Sequence, residues 1–157
     1  MKILIIRFSS IGDIVLTTPI IRCIKQQLPN IELHYVTKAA YRSVIANNPY
    51  IDQCHFFDHH VEDVIPTLKE AKFDLVIDLH KNLRSLKVKK ALKIKSLSFQ
   101  KLNISKWLLV NFKINILPDK SIVDRYFEAI ASLGVKNDGK GLDYFIAKQQ
   151  ELENADI

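Results

Sequence analysis

KILIIRFSSIGDIVLTTP (residues 2–19) sets an apolar run, a short polar turn and a second apolar run at the start of the chain. KILII shows no polar alternation after Lys2, so it reads as a strand buried on both faces. A helix is predicted from about Ile11 to Leu28, where Leu16, Ile20, Ile24 and Leu28 recur at every fourth position. Pro19 falls inside that span and predicts a kink or an early turn, because it has no amide proton to give the preceding turn. Strand, tight turn and helix in immediate succession open an α/β fold.

The alternation continues outward. IELHYVT (31–37) and QCHFFD (53–58) read as strands, AAYRSVIAN (39–47) and VEDVIPTLKEAK (61–72) as helices. FDLVIDL (73–79) is a continuous apolar run between charges, the pattern of a central parallel strand. SLKVKKALK (85–93) predicts a helix, IKSLSF (94–99) a strand and KWLLVNF (106–112) a short amphipathic helix. SIVDRYFEAIASLGV (121–135) puts Ile122, Tyr126, Ile130 and Leu133 on one helical face, with Gly134 placed to end it. Beyond Gly139 one short apolar strand precedes a polar tail, so residues 1–146 are expected to form one domain and 147–157 a tail or the start of a linker.

This order predicts a Rossmann-like parallel sheet with helices on both faces. Ligands of such sheets bind beyond the carboxyl ends of the strands. That rule selects two loops: RFSSIGD after the first strand and HKNLRS after FDLVIDL.

At 157 residues, 48% hydrophobic and 25% charged, the chain is long enough for one compact core. No apolar run approaches the ~20 residues of a membrane helix, and KILII, ended by Arg7, is too short for a signal-peptide core. Cys23 and Cys54 make no disulfide framework, so a reducing, cytoplasmic setting is expected. The net charge of +6 is unevenly spread: Leu79 to Pro118 holds ten bases and no acid, leaving 13 bases against 17 acids elsewhere. Such a segment attracts phosphates, nucleic acid, acidic sugars or an anionic membrane. Only Phe99, Trp107 and Phe112 interleave those bases, which disfavours nucleic acid.

Asp13 admits two readings. Ser10 and Asp13 have capping-box spacing, and an acid is favoured at a helix start. Equally, Gly12 lets a ligand approach the backbone while Asp13 presents an ionised carboxylate suited to act as a base. G-x-G-x-x-G and P-loop patterns are absent, which disfavours a nicotinamide or ATP-hydrolysing enzyme. HKNLRS brings His80, Lys81, Asn82, Arg84 and Ser85 to one strand exit, where Arg84 can grip a carboxylate or phosphate through two parallel hydrogen bonds. CHFFDHH (54–60) contains metal-ligand residue types, but strand alternation sends Cys54 and Asp58 to one face and His55 to the other, so no metal site is expected.

KILIIRFSSIGDIVLTTPIIRCIKQQLPNIELHYVT (2–37), FDLVIDLHKNLRS (73–85) and VDRYFEAIASLGV (123–135) resemble, in that order, the landmarks of glycosyltransferase family 9, the ADP-heptose:lipopolysaccharide heptosyltransferases. The resemblance covers roughly residues 1–146, and Ser121 stands where the family pattern has His. It implies a GT-B fold, two Rossmann-like domains across a cleft, with this chain as the N-terminal, acceptor-binding half. The C-terminal donor domain is absent from the 157 residues, so little transfer is expected of the chain alone. The implied reaction is inverting and needs neither metal nor cofactor, and the ADP-sugar donor would bind the C-terminal domain. Asp13 falls on the family's general base. Ser9, Ser10, Gly12, His80, Lys81, Asn82, Arg84 and Arg125 are implied to bind the acceptor, a lipopolysaccharide inner core rich in acidic sugars and phosphates. Peripheral contact with the inner membrane, no nucleic-acid partner and a monomeric state are expected. A non-catalytic anion-binding module, or a GT-B transferase acting on another glycan, is the alternative.

Overall fold

A computed structural model describes residues 1–100, 109–113 and 120–147. Its five strands are β1 (Lys2–Ile6), β2 (Glu32–Lys38), β3 (Gln53–Phe57), β4 (Leu75–Asp78) and β5 (Ser96–Ser98). They pair in parallel in the order β3-β2-β1-β4-β5, with Ile6 opposite Val36 on one side and Asp78 on the other. The helices are α1 (Ile11–Val15), α2 (Thr18–Gln27), α3 (Arg42–Ile45), α4 (Ile65–Ala71), α5 (Leu83–Leu92) and α6 (Ile122–Ala129).

The unbroken apolar runs have the cause expected of them. Ile3 and Ile5 of β1 join Leu33, Tyr35, Leu75 and Ile77 in a core closed by residues of α1, α2, α3 and α6. Leu4 and Ile6 point to the other face, with Val36 and Val76, under Leu68 of α4 and Val88 of α5. Each of these four β1 side chains is fully buried, and such burial stabilises by about 1.5–3 kcal/mol per side chain. The Rossmann-like sheet covered on both faces is therefore the observed fold.

Three elements differ from the sequence reading. The helix predicted over 11–28 is two helices, and Pro19 is the second residue of the second. Pro19 has no proton for the Val15 carbonyl; the Thr18 hydroxyl donates to that oxygen instead, at 2.7 Å. The helix predicted over 121–135 ends as α6 at Ala129 and continues as a 3₁₀ turn, Ala131–Leu133, which Gly134 closes at φ +74°. No strand forms over 141–147. That segment runs beside α2, where the Arg22 guanidinium binds Asp138 and Asp143, and its alternating apolar side chains, Leu142, Tyr144 and Ile146, stand exposed. Of KWLLVNF, residues 109–112 are helical and 106–108 lie outside the described residues, as does the predicted tail from 148 onward.

Candidate active site at the β1–β4 switch

The chain winds outward from β1 through β2 to β3, then returns to the other side of β1 for β4 and β5. The point of reversal lies between β1 and β4, where an open parallel sheet leaves a crevice at its carboxyl edge. The two loops selected from the sequence leave these two adjacent strands side by side.

In the first loop Arg7, between buried Ile6 and Phe8, is the organising residue. Its Nε donates to the Ser9 carbonyl at 2.7 Å, and Nη1 to the Leu79 carbonyl beyond β4 at 2.8 Å. Nη1 also lies 3.5 Å from the Tyr126 hydroxyl of α6, and Nη2 pairs with Asp13 Oδ2 at 2.9 Å. Asp13 Oδ2 further accepts from the Ser10 hydroxyl at 2.8 Å and the Ser10 amide at 3.2 Å. All these contacts use Oδ2; Oδ1 takes no hydrogen bond among the described residues. Partial burial raises the Asp13 pKa, but the Ser10 hydroxyl and amide together with Arg7 outweigh it, so the carboxyl lies below its ordinary value. Capping and presentation are compatible here, because one oxygen serves each. Gly12 is exposed, its φ is not left-handed, and a Cβ there would meet nothing within 4 Å, so neither packing nor backbone geometry requires glycine.

In the second loop the fully buried Asp78 does the positioning. Oδ1 accepts from the amides of His80 and Lys81 at 3.0 and 2.7 Å; Oδ2 accepts from the Ser85 hydroxyl and pairs with Lys89 Nζ, both at 2.8 Å. The six positions of HKNLRS then serve different ends. His80 packs its ring against Phe8, centroids 5.0 Å apart. Asn82 caps α5, its Oδ1 accepting from the Ser85 amide at 2.9 Å. Lys81 Nζ reaches the Phe99 carbonyl at 3.0 Å. Arg84 is exposed and has no hydrogen bond or ion pair among the described residues, which leaves it available to an anion.

Arg125 sits one strand further along, at the exit of β5. It borders a pocket of about 280 Å³ lined also by Ser98, Phe99, Gln100, Glu128 and Ala129. Nη1 lies 3.4 Å from the Gln100 carbonyl, while Nε is buried without a hydrogen-bond partner among the described residues. Ser121 caps α6 by accepting from the Asp124 amide at 3.1 Å, and Asp124 returns to the Ser121 hydroxyl at 2.8 Å, so these two residues of SIVDRY build the helix start. Sequence reasoning missed Arg7 and Asp78. Each carried a signal: a charge set directly at the carboxyl end of an apolar strand.

No family model matches the chain. Over 135 aligned residues it is 28% identical to a lipopolysaccharide heptosyltransferase 1 of Campylobacter coli, an alignment spanning 80% of this chain and 40% of that protein. A solved glycosyl transferase family 9 structure from Veillonella parvula superposes with a TM-score of 0.76 at 22% identity, over 99% of this chain and 47% of that one. The chain resembles glycosyltransferase family 9 in both sequence and fold. A second family-9-like fold, the E. coli heptosyltransferase WaaC solved with ADP, superposes with a TM-score of 0.67 at 23% identity, over 98% of this chain and 54% of that one. The chain thus spans about half the length of the family 9 relatives it matches.

Proposed function

We propose that the chain is the N-terminal, acceptor-binding half of an inverting, metal-independent glycosyltransferase that moves heptose from ADP-heptose to a lipopolysaccharide inner core. The observation that carries this reading is Asp13, set at the sheet's switch point with Oδ2 engaged by Arg7 and Ser10 and Oδ1 open. The likeness to a lipopolysaccharide heptosyltransferase supports it.

The chemistry asks for such a group. A sugar hydroxyl is a poor nucleophile, and taking its proton as it attacks is worth about 10²–10⁴ in rate. The acceptor oxygen forms the new bond to the anomeric carbon, ADP departs with the bonding electrons, and the proton passes to Asp13 Oδ1. A carboxyl held below its ordinary pKa is ionised at neutral pH but weakly basic. It therefore takes the proton only as the new bond forms and the hydroxyl becomes acidic. The same negative charge stabilises positive charge developing on the donor sugar. Exposed Arg84 and Lys81 at the neighbouring loop, and Arg125 at the β5 exit, are suited to the acceptor's carboxylates and phosphates.

In the two-domain protein that carries this half, Asp13→Asn is expected to keep the fold and lose most of the transfer rate; retained transfer would refute the general-base role. The chain itself should bind an acidic inner-core acceptor in a salt-sensitive manner, and Arg84→Ala should weaken that binding. Equal affinity for duplex DNA would favour a non-catalytic anion-binding module.

A further inference from the structure

Tyr126 of α6 is fully buried, yet it carries a hydroxyl. Its ring packs edge-on against Phe99, centroids 5.0 Å apart, inside the core that Ile3 and Ile5 share. A phenylalanine would fill that space equally well. A buried hydroxyl left without a partner is costly. The partner here is Arg7 Nη1 at 3.5 Å, and no other hydrogen bond to the hydroxyl is found among the described residues. Burial pushes the phenol pKa up, and its charged neighbours are Arg7, Asp13 and Arg125, so the group is a neutral hydroxyl at ordinary pH.

That contact completes the hold on a planar group. Arg7 Nε donates to the Ser9 carbonyl in the turn, and Nη1 donates to the Leu79 carbonyl beyond β4 and to Tyr126 on α6. Nη1 carries two hydrogens, and the two oxygens take one each. A guanidinium anchored through Nε and Nη1 has little freedom to turn. Its Nη2 therefore meets Asp13 Oδ2 in one place, and that sets where Oδ1 points.

We infer that Tyr126 is a positioning residue for Asp13, acting through the Arg7 guanidinium. No hydrogen bond joins Tyr126 to Asp13 directly among the described residues, so its hold on the carboxylate passes through Arg7. Without the hydroxyl, one Nη1 hydrogen loses its acceptor and the guanidinium is kept by two carbonyls alone. Asp13 Oδ2 then has a looser partner. The hold stands on geometry; its bearing on transfer rests on the transferase reading, in which a base misplaced by about 1 Å costs about 10²-fold in rate.

Tyr126→Phe removes the hydroxyl and keeps the ring. A carboxylate NMR titration of the chain should then place the Asp13 midpoint about 0.3 or more higher on the pH scale, because a loosened guanidinium lowers it less. In an Arg7→Met background the same substitution should add no further shift. Phe127→Leu, on the same helix, should lower the melting temperature yet leave the midpoint in place, since Phe127 is a buried core residue with no hydroxyl to offer Arg7. In the two-domain protein that carries this half, Tyr126→Phe should lower kcat about tenfold with the acceptor KM unchanged, and should cost nothing further in an Asp13→Asn background. An unmoved midpoint, or a shift that persists undiminished in the Arg7→Met background, overturns the proposal. Transfer lost in Asp13→Asn but kept in Tyr126→Phe also overturns it and leaves the transferase reading standing. A shifted midpoint together with unimpaired transfer by Asp13→Asn supports the hold on the carboxylate and removes the base.

Discussion

The guanidinium of Arg7 and the carboxylate of Asp13 meet at 2.9 Å across the turn that carries the chain from β1 into α1. The same guanidinium holds the Leu79 carbonyl, so one side chain ties the exits of β1 and β4 and fixes the orientation of the proposed base. Arg7 touches Asp13 Oδ2 and not Oδ1, the oxygen that would take the proton, so its role would be positioning.

Arg7→Met should raise the Asp13 pKa, because the guanidinium is one of the groups lowering it. A carboxylate NMR titration reads this directly: the wild-type midpoint lies below the usual 3.8 and the variant's lies above the wild type's. The sign for stability follows. A folded pKa below the unfolded one stabilises above about pH 4 and loses that contribution as the pH falls through the folded value, so acid sensitivity from this group should diminish in the variant. The Leu79 and Ser9 carbonyls lose their donor as well, at about 1–3 kcal/mol each where buried.

Asp78 and Lys89 form an ion pair whose acid is fully buried. Asp78→Ala leaves the His80 and Lys81 amides and the Ser85 hydroxyl without their acceptor, and should cost about 3–5 kcal/mol in denaturant unfolding. Lys89→Met added to Asp78→Ala should recover part of that loss, since the lysine no longer faces a buried site without a counter-charge. If the double variant is no more stable than Asp78→Ala, the backbone amides rather than the charge pair carry the effect.

His34 and His55 make a buried chain away from the site. His34 Nε2 meets Glu32 Oε1 at 2.7 Å and Nδ1 meets His55 Nε2 at 2.8 Å, with Phe73 packed on both rings. With both rings neutral, Glu32 accepts from His34 Nε2–H and His34 Nδ1 accepts from His55 Nε2–H. Lys2 also faces Glu32, at 3.5 Å. Burial, reinforced by His34, pushes the His55 pKa down to about 4. Here the unfolded state binds the proton more readily, so stability is full above about pH 6.5 and falls as the pH drops towards 4, by on the order of 2 kcal/mol. Thermal melts across that window should show the slope, and His55→Phe should flatten it.

Arg22 grips Asp138 through two hydrogen bonds, of 2.7 and 2.8 Å, accompanied by Asp143 and the Gly141 carbonyl. The guanidinium holds the Asp138 carboxyl well below the usual carboxylate range. Arg22→Met should release residues 138–143 from α2, seen as new protease cleavage within that segment. The core should stay intact, since the strands do not depend on this contact.

Much of the fold was legible because its cause is local. KILII and FDLVIDL are apolar without alternation, and only a strand covered on both faces needs that pattern. Pro19 marked the break between α1 and α2. The strand expected beyond Gly139 failed for a reason no local pattern carries: Arg22, more than a hundred residues earlier, draws that segment onto a helix. The site divides in the same way. Asp13 and the HKNLRS loop followed from the rule that ligands gather at strand exits. Asn82 was expected only among the acceptor-binding residues, and the structure puts its carboxamide on the Ser85 amide as the cap of α5.

By itself the sequence determined the parallel sheet, the two loops at its switch point and the basic segment from Leu79 to Pro118, since periodicity and composition act through neighbours along the chain. Only the tertiary structure decided what each polar group does with its valences. Asp13 and Ser10 have capping spacing, but that one oxygen caps while the other stays open depends on Arg7 reaching across from β1. Ten bases in a row of acid-free sequence look alike on the page, but buried Asp78 claims Lys89 and Glu62 claims Lys87, and Arg84 is left exposed beside the site. Hydrogen-bond partners are set by distance in space, and that is the quantity a sequence leaves to the fold.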